Sequence, residues 1–187
     1  AVAGDLKFKD TNNDGTINND DKEFMDSYQP KLTYSFGLNF DYKGFDLGMI
    51  FQGVSGVKAF NGYKYVAYNA SLQGYNLDSR ILNAWSDTNT NATIPIISTT
   101  DNNHNFGTTS SWYLEDASYL RFKNITLGYT VPKHLINNTN LRVYISAENL
   151  FTITNYSGID PEVGGKGLDV AKYPVAKTIS AGLSLKL

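Results

Sequence analysis

The sequence predicts an all-β fold: the C-terminal antiparallel strands of a transmembrane β-barrel with long extracellular loops. Three observations predict it. Several segments alternate between apolar and polar residues over unusual lengths. The connections between them alternate between short and long. The chain also ends on an alternating apolar strand. No run of about 18 apolar residues occurs, so there is no spanning helix. A barrel strand needs only about 10 alternating residues and leaves no such run.

Composition agrees. The 187 residues include 13 Tyr, 10 Phe and 16 Gly, a mix that favours strands and turns over helices. A net charge of −2 without any Lys/Arg block argues against a nucleic-acid partner. With 0 Cys, disulfides and thiolate metal sites are excluded. Ala1-Val2-Ala3-Gly4-Asp5 has neither the basic start nor the apolar stretch of an export signal. The chain is therefore expected to be a piece of a longer exported protein.

The first strand covers residues 31–42, where Leu32, Tyr34, Phe36, Leu38, Phe40 and Tyr42 take every even position. Lys43-Gly44 makes a tight turn. Phe45, Leu47, Met49 and Phe51 then restart the alternation over 44–54, giving a hairpin. Residues 119–131 form a third strand. Its second half places Ile125, Leu127, Tyr129 and Val131 together, but Leu120 and Phe122 have the other phase, which predicts a bulge near Lys123-Asn124. Pro132 ends it. Residues 141–153 align Leu141, Val143, Ile145, Ala147, Phe151 and Ile153. Residues 178–187 align Ile179, Ala181, Leu183, Leu185 and Leu187. These five strands are expected to form one antiparallel sheet in sequence order, too few to close a barrel, since the smallest need about eight. Phe36, Phe40, Leu47, Phe51, Leu127, Ile145 and Leu183 should share its convex face.

Residues 55–118 read mainly as loop, with a helix expected around Leu77–Trp85. A loop this long is unusual in a compact soluble domain. A soluble β-sandwich would also alternate, but its strands average about five residues. The faces opposite the apolar ones carry Ser, Thr, Gly, Asn and single charges, as a watery lumen requires.

One motif points to a metal. Asp10-Thr11-Asn12-Asn13-Asp14-Gly15 matches the Asp-x-Asn-x-Asp-Gly calcium-loop pattern. Asp10, Asn12, Asp14 and Asp21 would supply side-chain oxygens, Thr16 its carbonyl, and Asn18 a contact through water. Gly15 gives the sharp turn. Hard oxygen donors in this number suit Ca²⁺ better than Mg²⁺. Asp21 stands where an EF-hand has a bidentate Glu, and no helix pattern leads into Asp10. The competing account is a solvated Asx turn.

Catalytic constellations are thin. His104 and His134 lie in different connections, with no nucleophile motif nearby, and no phosphate-binding glycine loop is present. The chain is not expected to be an enzyme.

Several blocks in order resemble the end of SusC/RagA-type TonB-dependent importers. They are Gly4-Asp5-Leu6-Lys7-Phe8-Lys9-Asp10, Tyr42-Lys43-Gly44-Phe45-Asp46-Leu47, Tyr113-Leu114-Glu115-Asp116-Ala117-Ser118-Tyr119-Leu120-Arg121, Glu148-Asn149-Leu150-Phe151-Thr152 and Gly158-Ile159-Asp160-Pro161-Glu162. Tyr173-Pro174 follows, and the last strand ends in Leu187 where Phe is common in the family. The resemblance implies barrels of about 22 strands, located in the cell outer membrane and driven by TonB. It also implies a SusD-like lipoprotein partner, outer-membrane lipids around the wall, and oligosaccharide (glycan) or peptide cargo. TonB would act through an N-terminal part that this sequence does not contain.

On that basis residues 1–30 form an extracellular loop carrying the calcium-type motif, and residues 31–187 supply barrel strands and loops. With a periplasmic C-terminus, residues 43–44 and 132–140 face the periplasm, while 1–30, 55–118 and 154–177 lie outside. Tyr63, Tyr65, Tyr68, Tyr75, Trp85 and Trp112 then become candidates for cargo or partner contact. The alternative function is a secreted calcium-binding carbohydrate-binding or adhesion module, which leaves the lipid-like faces unexplained.

Overall fold

The computed structural model describes residues 1–72, 74–136, 139–162 and 166–186. Among them are strands β1 (Leu32–Tyr42), β2 (Phe45–Ser55), β3 (Lys58–Asn61), β4 (Leu114–Asp116), β5 (Tyr119–Val131), β6 (Asn140–Glu148), β7 (Thr152–Thr154), β8 (Leu168–Asp169) and β9 (Thr178–Lys186), and one short helix, α1 (Tyr63–Ala67). The chain divides into a strand unit (Tyr28–Lys58, Asp116–Glu162, Lys172–Leu187) and a loop unit (Ala1–Ser27, Ala59–Glu115, Val163–Ala171).

The strand unit is one antiparallel sheet in the order β1-β2-β5-β6-β9, as the alternation predicts. Lys43 and Gly44 both have positive φ, 48° and 88°, the left-handed pair required by a two-residue turn that matches strand twist. Directly paired residues share a face. Cross-sheet rows therefore collect residues of one face. Phe40, Leu47, Leu127, Ile145 and Ala181 make one row, and Tyr42, Phe45, Tyr129, Val143 and Leu183 another. On the opposite face run Asn39, Gly48, Thr126, Ser146 and Ser180. Leu187 lies outside the described residues.

The bulge occurs where the phase change predicts it. Ile50 pairs with Asn124 and Phe51 with Phe122, so Lys123 has no partner on β2. The extra residue returns Leu120 and Phe122 to the apolar face. There Phe36, Phe51 and Phe122 stack, with ring centroids 4.8 and 4.5 Å apart.

The segment 141–153, expected as a single strand, is two. Asn149 turns left-handed, with φ 51°, and ends the regular ladder after Glu148. β7 then pairs with Tyr119–Arg121 of β5. A short polar residue that tolerates this region interrupts the strand, and the interruption accommodates the bulge in the facing strand.

The loop unit has a small sheet, β4-β3-β8, with β3 and β8 parallel. The sequence did not suggest these strands, because pieces of two to four residues carry too few positions to show a period. Ala67, Tyr68 and Phe106 form its buried centre, flanked by Tyr63, Ile81, Ile94, Ile97 and Trp112. The helix expected at Leu77–Trp85 is instead a 3-10 turn over Ser79–Asn83, capped by Asp78. The Arg80 side chain folds back onto Asp78 at 2.6 Å. Only Ile81 of this turn packs into the core, which is too little burial to sustain an α-helix.

Candidate functional site

In the loop unit, the Asp/Asn motif folds into a closed turn. Asp10 accepts N–H bonds from Asp14 (3.2 Å) and Gly15 (2.8 Å), Asn12 from Asp14 (2.9 Å), and Asp14 from Thr16 (2.8 Å). Gly15 has φ 83°, which supplies the predicted sharp turn. Asn18 caps the 3-10 turn Asn19–Asp21, and the Asp21 carboxylate closes a capping box on the Asn18 N–H. Asp21 also accepts the Thr11 N–H at 2.8 Å. Backbone N–H groups, that of Asn18 first and then that of Thr11, hold the Asp21 carboxyl below its ordinary range.

Among the described residues, no three His, Cys, Asp or Glu side chains form a metal-holding group. The three candidate carboxylates, Asp10, Asp14 and Asp21, accept N–H groups instead. A carboxylate offers about four lone-pair sites, so these bonds leave oxygen donors on Asp10, Asp14 and Asp21. The donor set is hard and acidic, which fits Ca²⁺.

The candidate aromatics separate by environment. Tyr68 is buried. Trp112 meets Tyr68, Phe106 and Tyr113 edge-on at 5.7, 5.5 and 5.1 Å, donates from Nε1 to the Thr93 carbonyl, and carries the Lys64 ammonium 4.3 Å above its ring. Lys64 in turn pairs with Glu115 at 2.7 Å, both largely shielded. Tyr63 donates its hydroxyl to Asp78 at 2.9 Å; burial first, then that carboxylate, pushes its pKa up. Trp85 lies against Gly4, where a β-carbon would collide with its ring. Tyr65 and Tyr75 remain exposed, at 43% and 60%.

The strand unit contains a constellation that sequence reasoning did not assign. The Arg121 guanidinium is only 4% exposed. It donates from Nε to Thr152 Oγ1 at 2.9 Å and from its two terminal nitrogens to Glu162 and Asp160 at 2.8 and 2.6 Å. Burial alone would raise the Asp160 carboxyl. The N–H groups of Glu162 and Val175, together with Arg121, outweigh it and hold the group low. Arg121, Thr152, Asp160 and Val175 border a pocket of ≈ 350 Å³ lined also by Phe151, Ile159, Pro174 and Lys177. Arg121 and Asp160 both occur in the sequence blocks quoted above, but nothing local in the sequence connects residues 39 apart.

The chain is 32% identical over 193 residues to TonB-dependent receptor P3 of Formosa agariphila, covering 96% of this chain and 18% of the relative. It is 30% identical over 183 residues to TonB-dependent receptor SusC of Bacteroides thetaiotaomicron, covering 96% and 17%. Its fold superimposes on a solved structure of the RagAB peptide transporter with TM-score 0.74 and 32% identity, covering 91% of this chain and 19% of that one.

The chain belongs to the SusC/RagA-type TonB-dependent receptors.

No model of a known protein family matches the chain. A RagAB peptide importer in the closed-closed state also matches, with TM-score 0.72, 29% identity, and coverage of 92% of this chain and 20% of that one. The chain thus spans about a fifth of the length of the SusC/RagA-type relatives it matches. These relatives are receptors and transporters, not enzymes.

Proposed function

We propose that the chain supplies wall strands and extracellular loops to a TonB-dependent outer-membrane importer of oligosaccharides or peptides, working with a SusD-like surface lipoprotein. The observation that supports this is the two-faced sheet. On one face Phe40, Ile145 and Leu183 are 56%, 51% and 75% exposed, and no described residue covers them. The other face is rich in Ser, Thr, Asn and Gly and carries charged side chains, among them the Asp46–Arg142 ion pair. Water penalises such an apolar face, and lipid does not. The outer strands β1 and β9 have one unpaired edge each within this sheet. In a bilayer those backbone groups require further strands beside them.

In this reading the apolar rows face outer-membrane lipid and the polar rows face the lumen. The turn at Lys43–Gly44 and the segment after Val131 lie in the periplasm, and the loop unit lies outside the cell. Tyr65 and Tyr75, the exposed members of the candidate aromatics, would meet cargo or the lipoprotein. The likeness to the RagAB peptide transporter favours peptides over glycans. The Asp10–Asp21 loop would bind Ca²⁺ through Asp10, Asn12, Asp14 and Asp21 with the Thr16 carbonyl, and so stiffen the outer surface.

Labelling of single cysteines in whole cells tests the topology. Cysteines placed at Asn89 and Asn103 in the full-length receptor should react with a membrane-impermeant thiol reagent, and one at His134 should not. The reverse pattern rejects the orientation. Asn137 would serve the same purpose, but it lies outside the described residues. For the metal, calorimetric titration of calcium chloride into the full-length receptor should give heat that Asp14→Ala abolishes; equal heats in both reject the site.

A further inference from the structure

We propose that Arg121 and Asp160 are a positioning pair, which holds the base of the 155–177 connection in the one conformation that cargo or partner engages. The proposal rests on the importer assignment above. It starts from how the strand unit closes its two long excursions. Residues 59–115 leave it and return with the backbone stitched at the base: the Ala117 N–H donates to the Val57 carbonyl at 3.0 Å, and the Gly56 N–H to Ser118 Oγ at 3.0 Å. Residues 166–171 leave it as well, between Glu162 and Lys172. Here, among the described residues, no backbone-to-backbone hydrogen bond joins 158–162 to 172–177. Side chains do the closing.

Asp160 is the hub. One carboxylate oxygen accepts Arg121 and the Glu162 N–H (2.6 and 2.9 Å), and the other accepts the Val175 N–H at 3.1 Å. Arg121 reaches two separate segments at once, β7 through Thr152 and 158–162 through Glu162 and Asp160. The Asn149 amide adds a bond to the Ala176 carbonyl at 3.0 Å.

Burying a guanidinium against two carboxylates is not a route to stability as such, because a packed apolar cluster holds elements together as well. What the planar fork adds is geometry: three fixed donor directions that admit one arrangement of their acceptors. Lysine carries the charge without the fork. An asparagine at 160 turns its NH₂ toward either the Arg121 guanidinium or the Val175 N–H, donor against donor. The pair also borders the pocket beside β7, so a shift at this base alters that surface.

The test uses the full-length receptor in cells, with a tryptic casein digest and a maltodextrin mixture as uptake probes. Arg121→Lys and Asp160→Asn should leave the outer-membrane level and maximal uptake rate nearly unchanged. The half-saturation concentration should rise by about tenfold, as the loss of one charge-assisted hydrogen bond implies. The double variant should be no worse than the weaker single. An unchanged half-saturation concentration, or uptake falling only in proportion to receptor level, overturns the proposal. Hydrogen exchange supplies a second measurement: the Val175 amide should exchange faster in both variants, and unchanged exchange overturns the clamp. Wild-type receptor that takes up neither probe overturns the importer assignment itself, and with it any pathway for the pair to position.

Discussion

The ring of Tyr144 on β6 lies against Gly182 of β9, its directly paired neighbour, where a β-carbon would collide with the ring atoms. An aromatic seated on a cross-strand glycine fixes register, because a shift by one residue removes the seat. The same row continues to Gly128 and Asp46. There Arg142 passes over Gly128 to reach Asp46, with Nε donating to Oδ2 at 2.9 Å.

Gly182→Ala is therefore expected to destabilise the full-length receptor by about 1–3 kcal/mol through overpacking. Adding Tyr144→Ala should recover part of that loss, since the collision then disappears. Equilibrium unfolding in urea-containing detergent measures both. Additive losses would contradict the seat.

Gly44 sets the first hairpin. Its φ is 88°, and a β-carbon there would press on the Thr130 carbonyl. Gly44→Val should cost about 1–3 kcal/mol, because a branched residue is forced into a region that L side chains avoid. Lys43→Asn, at φ 48°, should be neutral or stabilising. Denaturant midpoints of the two variants give the comparison.

Trp112 and Tyr75 should behave differently when truncated. Trp112→Ala opens the centre of the loop unit and should cost roughly 3 kcal/mol, read as faster hydrogen exchange around Tyr68 and Phe106. Tyr75→Ala removes an exposed ring and should change stability by less than about 0.5 kcal/mol. On the importer assignment it should still reduce uptake.

The Asp21 carboxyl should titrate below its ordinary value of 3.8, because the N–H groups of Asn18 and Thr11 favour its charged form. The folded value is the lower one, so the turn keeps this support at all pH above the ordinary value. It loses the support as pH falls through the depressed value. Amide shifts of Thr11 and Asn18, followed by NMR from pH 6 downward, should report a common midpoint below 3.8. A midpoint at or above that value would count against the network.

The strands were legible because their burial demand is periodic. Phe36 to Phe40 and Ile125 to Val131 repeat every second residue, and the phase change at Phe122 marks the bulge in the sequence itself. The break at Asn149 was not legible, since Ala147, Phe151 and Ile153 keep the same parity across it. Nor was the division of the aromatics. Tyr65 and Tyr68 differ by three positions in similar surroundings, and only the tertiary packing makes one exposed and the other core. The Arg121–Asp160 pair joins two segments whose spacing carries no local pattern, so only the fold could bring it out.

The unpaired Lys123 has a consequence for how this strand can vary. It works as a phase converter: codons before it write the apolar face on even numbers and codons after it on odd. Substitution there leaves both halves in place, and so does removing the residue: Phe122, Asn124 and Ile125 then alternate without a break and only the bulge is lost. A one-residue insertion or deletion elsewhere in β5 instead inverts the part of the strand beyond it. Length changes of a single residue are thus barred on either side of Lys123 unless matched by an opposite change within the same strand, while the segments beyond Val131 and before Tyr119 can grow or shrink without touching the pattern.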